Sequence, residues 1–202
     1  MNISEFTGIP ISGAKLRAAL SGYKNPSKKV ERLAATGEIL RLRRDLYVGV
    51  GGGPINTYLA ANYIVSPSYV SGLTALSYYG IIPEFVCDVI SMTTKKAVTH
   101  VNYFGEFCYH LCPRDYYSIG IHTEYNNGNP FVMAGVEKAL CDHIFITPKL
   151  NLRFKRDVLL WLEEDMRMDM DELAKMDFSI IEKCAELGRK KTMLNNIIRV
   201  LR

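Results

Sequence analysis

Six cations set close together carry the strongest chemical signal in the sequence: Lys28, Lys29 and Arg32, then Arg41, Arg43 and Arg44. On a helix, Lys28 and Arg32 lie one turn apart on one face, with Lys29 on its shoulder. The three arginines fall on and beside a tight turn that joins two short strand-like runs, residues 38–42 and 46–50. Cations placed this way suit a polyanion. Lysines neutralise phosphates as point charges, and an arginine fork can also be bidentate to the edge of guanine. Lys24 and Ser27, at the start of the same helix, complete the candidate set.

Other reactive groups are weaker candidates. Cys108-x-His110-x-Cys112 would share one face of a strand, but no second close pair of ligands accompanies it, so no metal is expected. Asp169-x-Asp171 has the spacing of a two-metal carboxylate pair. It follows a helical stretch, with no Gly-Ser upstream to grip a triphosphate, and therefore reads as a helix cap. Glu137, Asp142 and His143 could act as acids or bases, yet a helix separates Glu137 from the face that carries His143. No nucleophile elbow, phosphate loop or dinucleotide fingerprint occurs, so neither an enzyme nor a cofactor is expected.

The chain that must position these cations has 202 residues, 48% hydrophobic and 23% charged, with a formal net charge of +4. Residues 1–50 hold nine basic side chains against four acidic ones, a net of +5, and the remainder carries −1. A basic module joined to a neutral one is the picture this gives. Five scattered cysteines suggest reduced thiols, and no signal peptide or membrane span is apparent. A cytoplasmic protein is expected.

Along the chain, Ser12 should cap a helix over residues 13–20. Asn25 and Pro26 should start a second helix that ends at Gly37. Val30, Leu33 and Ala34 form its apolar back, opposite the cations. Gly51-Gly52-Gly53-Pro54 is the strongest break, which divides the chain into residues 1–52 and 53–202. Helices are then expected over 56–64 and around 73–79, and strands over 85–92, 98–103, 107–111, 118–125 and 131–133. A helix over 136–145 and three further helices after residue 153 complete the pattern. The acidic stretch 163–177 and the basic Arg189, Lys190 and Lys191 read as solvated faces. The fold class expected is α+β: an N-terminal winged helix-turn-helix, then a mixed domain with a mostly antiparallel sheet and C-terminal helices.

Three segments carry a resemblance. KVERLAATGEILRLRRDLYVGV (29–50), SYVSGLTALSYYGII (68–82) and AGVEKALCDHIF (134–145) resemble, in order and spacing, segments of the AbiE-type antitoxins of type IV toxin–antitoxin pairs. The second is matched at Tyr69, Ser71, Gly72, Ala75, Leu76 and Gly80, and the third at Glu137, Lys138, Ala139, Leu140 and Asp142. Asp45 stands where that family usually has glycine in the wing turn. The resemblance implies a double-stranded-DNA-binding repressor of its own operator that counteracts a nucleotidyltransferase toxin; a homodimer on DNA is a further candidate partner. On this reading Lys28, Lys29 and Arg32 face the major groove, Lys24 and Ser27 also contact DNA, and Arg41, Arg43 and Arg44 reach phosphates or the minor groove. The competing expectation is a protein-interaction module with a vestigial helix-turn-helix.

Overall fold

Ser12 ends one element and begins the next. Its backbone closes a two-residue strand, β1 (Ile11–Ser12), and its hydroxyl accepts a hydrogen bond from Lys15 N at 3.3 Å to start α1 (Gly13–Ala19). This computed structural model describes residues 7–202. After a short loop, the Asn25 carboxamide accepts from Lys28 N at 3.0 Å and caps α2 (Pro26–Ala35), with proline at the first helical position. Gly37, at φ 75°, takes the left-handed conformation that lets the chain leave the helix. The hairpin β2 (Ile39–Arg43) and β3 (Leu46–Gly49) follows directly.

These three strands form an antiparallel sheet in the order β1-β3-β2. Two residues are too few to leave an alternating pattern, so β1 was not foreseeable from sequence periodicity. Ile11, Leu16, Leu20, Val30, Leu33 and Ile39 pack together as a small core beneath α1 and α2.

The rest of the chain builds around a six-stranded sheet. Asn56 caps α3 (Thr57–Ile64), and β4 (Ser68–Val70) leads into α4 (Gly72–Tyr78). Next come β5 (Val89–Thr93), β6 (Val98–Asn102), β7 (Gly105–Leu111) and the short helix α5 (Arg114–Tyr117). The hairpin β8 (Ile121–Asn126) and β9 (Asn129–Ala134) then delivers the chain to α6 (Val136–Ile146). The strand order is β6-β7-β5-β4-β9-β8.

The sheet is mixed. The β6–β7, β4–β5 and β8–β9 pairings are antiparallel, and the β5–β7 and β4–β9 joints between them are parallel. Each outer hairpin docks through its second strand, which a local hairpin pattern does not encode. The strand expected from residue 85 begins only at Val89, and residues 114–117 are helical.

The C-terminal third is helical, as expected. α7 (Lys155–Leu160) runs into a π-helical turn over Trp161–Asp165, followed by α8 (Met170–Leu173), α9 (Phe178–Leu187) and α10 (Lys191–Leu201).

The glycine-rich break at 51–54 is not a break in packing. Leu42, Leu46 and Val48 of the N-terminal hairpin are buried in the core of the larger unit. Asn102 at the end of β6 donates its amide to Leu42 O at 3.0 Å, so the edges of the two sheets meet. The small sheet is therefore lined on one face by its own helices and on the other by the larger unit.

Candidate nucleic-acid interface

The position of α2 follows from its apolar back. Val30 and Leu33 are buried in the small core, which turns the opposite side outward. Lys24, Ser27, Lys28 and Arg32 are exposed, and Lys29 is half-buried with its Nζ 5.0 Å from the centroid of the Tyr23 ring. Tyr23, Lys24, Asn25, Lys28, Lys29 and Arg32 line a shallow recess of about 320 Å³. No carboxylate belongs to that lining. Among the described residues, none pairs with the Lys24, Lys28, Lys29 or Arg32 head groups through a salt bridge. Four cations held together without counter-charges create a local positive potential.

The hairpin is organised by Asp45. It occupies the two-residue turn with Arg44 and sits at φ 59°, a left-handed conformation that aspartate tolerates. Its carbonyl accepts from Gly13 N at 2.9 Å, and its carboxylate accepts from Arg17 Nη1 at 3.1 Å. A Cβ at Gly13 would run into the Asp45 carboxylate, so a larger residue there would push that carboxylate from its place beside Arg17. The turn is thus fastened to the first turn of α1.

The three hairpin arginines do different things. Arg44, at the tip, is exposed and its guanidinium has no hydrogen-bond partner among the described residues. Arg41 is exposed and makes one long bond, Nε to Arg43 O at 3.4 Å. Arg43 turns back toward the larger unit: its Nε donates to Ile64 O at 2.8 Å and its Nη1 to Arg44 O at 3.0 Å. Arg43 therefore caps the C-terminal end of α3, where carbonyls lack helical partners. Sequence reasoning did not foresee Arg17, whose bridge to the turn's one acid leaves Arg44 uncompensated.

The other constellations separate in space. Cys108 and His110 lie on the outer side of β7, while Cys112 is past the strand end and buried, so the three do not share a face. Cys108 Sγ donates to Glu106 Oε1 at 3.2 Å, and burial pushes the Cys112 thiol up to about 11. Among the described residues, no cluster of three His, Cys, Asp or Glu side chains could hold a metal ion. Asp169 caps α8, accepting from Asp171 N at 2.9 Å.

The helical group at 137–143 is structural in a way its spacing only half discloses. Lys138 and Asp142 are fully buried and paired at 3.2 Å, one helical turn apart. Asp142 also accepts from the buried Ser71 hydroxyl at 2.6 Å, and Lys138 donates to Tyr116 O at 3.0 Å. The ammonium lies against the Tyr116 ring, with Tyr69 beyond it. Burial, and then the Asp142 carboxylate, drives both phenols far above their ordinary range. The motif residues around Ser71 and Asp142 thus meet in one buried knot between α4 and α6. Glu137 points elsewhere and accepts from Asp177 N at 3.0 Å. His143 stacks on Trp161, and burial, reinforced by Lys190, lowers its pKa to about 4.

Among the described residues, no helix is long and apolar enough to cross a membrane. The chain matches no known family model, and no curated protein matches it.

Proposed function

We propose that the chain is a sequence-specific, duplex-DNA-binding regulator of its own operon, an AbiE-type antitoxin that opposes a nucleotidyltransferase toxin. On this reading residues 1–52 form a winged helix-turn-helix, with α2 as the groove-reading helix and the β2–β3 hairpin as the wing. Lys28 and Arg32 face the major groove, with Lys24, Ser27 and Lys29 beside them, and Arg41 and Arg44 reach the flanking backbone. The protein binds DNA as a homodimer, and the larger unit carries the antitoxin function.

The observation that carries this reading is the uncompensated basic face of α2, held outward by Val30 and Leu33 around a recess without carboxylates. The strand order β1-β3-β2, with two helices between the first strand and the hairpin, supports it. Among the described residues these cations make no salt bridge, so phosphate contact requires no prior disruption of an ion pair.

The test is fluorescence anisotropy with duplex DNA from upstream of the chain's own reading frame, measured across a salt series. Wild type is expected to bind, with log affinity falling linearly against log salt. Lys28→Ala/Arg32→Ala should make that slope shallower by about 1 to 2. A wild type that binds no duplex at low salt, yet captures the product of a neighbouring reading frame, would replace this reading with the interaction module. Exposed Val101 and Tyr103, 76% and 79% accessible at the end of β6, are the surface such a module would use.

A further inference from the structure

A second basic depression lies where the hairpin meets the large sheet. It has a volume of about 640 Å³ and is lined by Arg43 from β2, and by Lys95, Lys96 and His100 from the turn after β5 and the strand β6. Tyr63 and Ile64 at the end of α3, and Ser66 just beyond it, supply much of the remaining wall. No carboxylate lines it. Lys95 and Lys96 are exposed, and among the described residues neither ammonium has an ion-pair partner. Burial and the Arg43 charge lower the His100 pKa, so His100 is neutral at pH 7 and the lysines and Arg43 carry the positive charge.

Three features decide what such a cleft accepts. Its two lysines stand on a turn in solvent, with no buried polar group converging on a common point, unlike a built small-molecule pocket. One wall is Arg43, whose guanidinium is fixed by bonds to Ile64 O and Arg44 O. It also begins one residue from the hairpin tip, because Arg43 immediately precedes Arg44. Its lining holds cations and no acidic residue, so a phosphate backbone entering it meets no carboxylate.

We infer that the cleft between the hairpin and the β5–β6 turn is a second contact for duplex DNA, in which Lys95 and Lys96 bind backbone phosphates beyond the wing tip. The inference rests on the DNA-binding reading above and extends it to the larger unit. The contact is to phosphate, so it adds affinity and salt dependence and no base preference.

The experiment is anisotropy titration of the full chain, comparing wild type with Lys95→Ala/Lys96→Ala and Lys95→Arg/Lys96→Arg on one long operator duplex. Thermal melts of each variant confirm folding. The alanine pair is expected to lose about tenfold in affinity at moderate salt and to make the salt slope shallower by about 1 to 2, equally for operator and unrelated sequence. The arginine pair should restore both. Wild-type binding with an unchanged affinity and slope in the alanine pair overturns this inference and leaves the α2 reading standing. Absence of wild-type duplex binding overturns both. If ATP or inorganic phosphate at millimolar concentration binds wild type but not the alanine pair, and duplex affinity is the same in both, the cleft is a small-anion site and the inference is wrong.

Discussion

Asp45 shows how much one side chain can organise. In the left-handed turn it ties Arg17 and the start of α1 to the hairpin, and it leaves Arg44 as the uncompensated cation at the tip. His143 is likewise shaped by its immediate surroundings. Its pKa of about 4 in the folded chain lies below the ordinary 6.5, because burial against Trp161 disfavours the charged ring. The unfolded chain therefore binds more protons between those two values. Stability is complete above about pH 6.5 and is lost as pH falls toward 4. Urea unfolding is expected to show about 1 to 2 kcal/mol less stability at pH 5 than at pH 7 from this group. His143→Phe, which keeps an aromatic ring over Trp161, should flatten the profile; an equally steep profile would place the effect in other groups. Residue-level signals were readable where the physics is local. The Ser12, Asn25 and Asp169 caps and the Gly37 exit each act within a few positions. Arg43 was not readable in this way. Its partner, Ile64 O, is 21 residues away and is set by how the hairpin packs.

Helices α4 and α6 are joined by the knot of Ser71, Lys138 and Asp142, and this joint gives the chain's two later motif segments a common purpose. A buried pair is strongly destabilised when one partner is removed and much less so when both are. Asp142→Ala is expected to cost about 3 to 5 kcal/mol, because it strands the Lys138 ammonium among Tyr69 and Tyr116. Lys138→Met combined with Asp142→Leu should recover most of that loss in denaturant unfolding. If the double variant is as unstable as Asp142→Ala alone, the pair is not the source of the effect. Only half of this joint was legible. The four-residue spacing of Lys138 and Asp142 is visible in the sequence, but their burial is not, since charged residues on a helix usually face water. The elements themselves were mostly predictable from periodicity. The parallel joints of the large sheet were not, because each hairpin's pattern leaves open which of its strands docks.

For the molecule as a whole, the glycine-rich break and the core disagree about where one unit ends. The chain changes character at 51–54, yet Leu42, Leu46 and Val48 are buried in the core of the larger unit. Residues 1–52 expressed alone would expose those three side chains to water, at about 1.5 to 3 kcal/mol each. That fragment is expected to lack a cooperative thermal transition by circular dichroism; a sharp transition at the temperature of the full chain would show that its small core suffices. The same packing has a thermodynamic corollary. Arg43 is bonded to Ile64 O and Asn102 to Leu42 O, so the hairpin and the large sheet share polar contacts as well as a core. Any ligand of the large sheet that shifts β6 against β2 must alter the affinity of the hairpin for whatever it holds. By linkage, the hairpin's ligand alters the affinity for that other ligand by the same factor. Two binding events on this chain are then entries in one equilibrium constant, and measuring either with the other present would give their coupling.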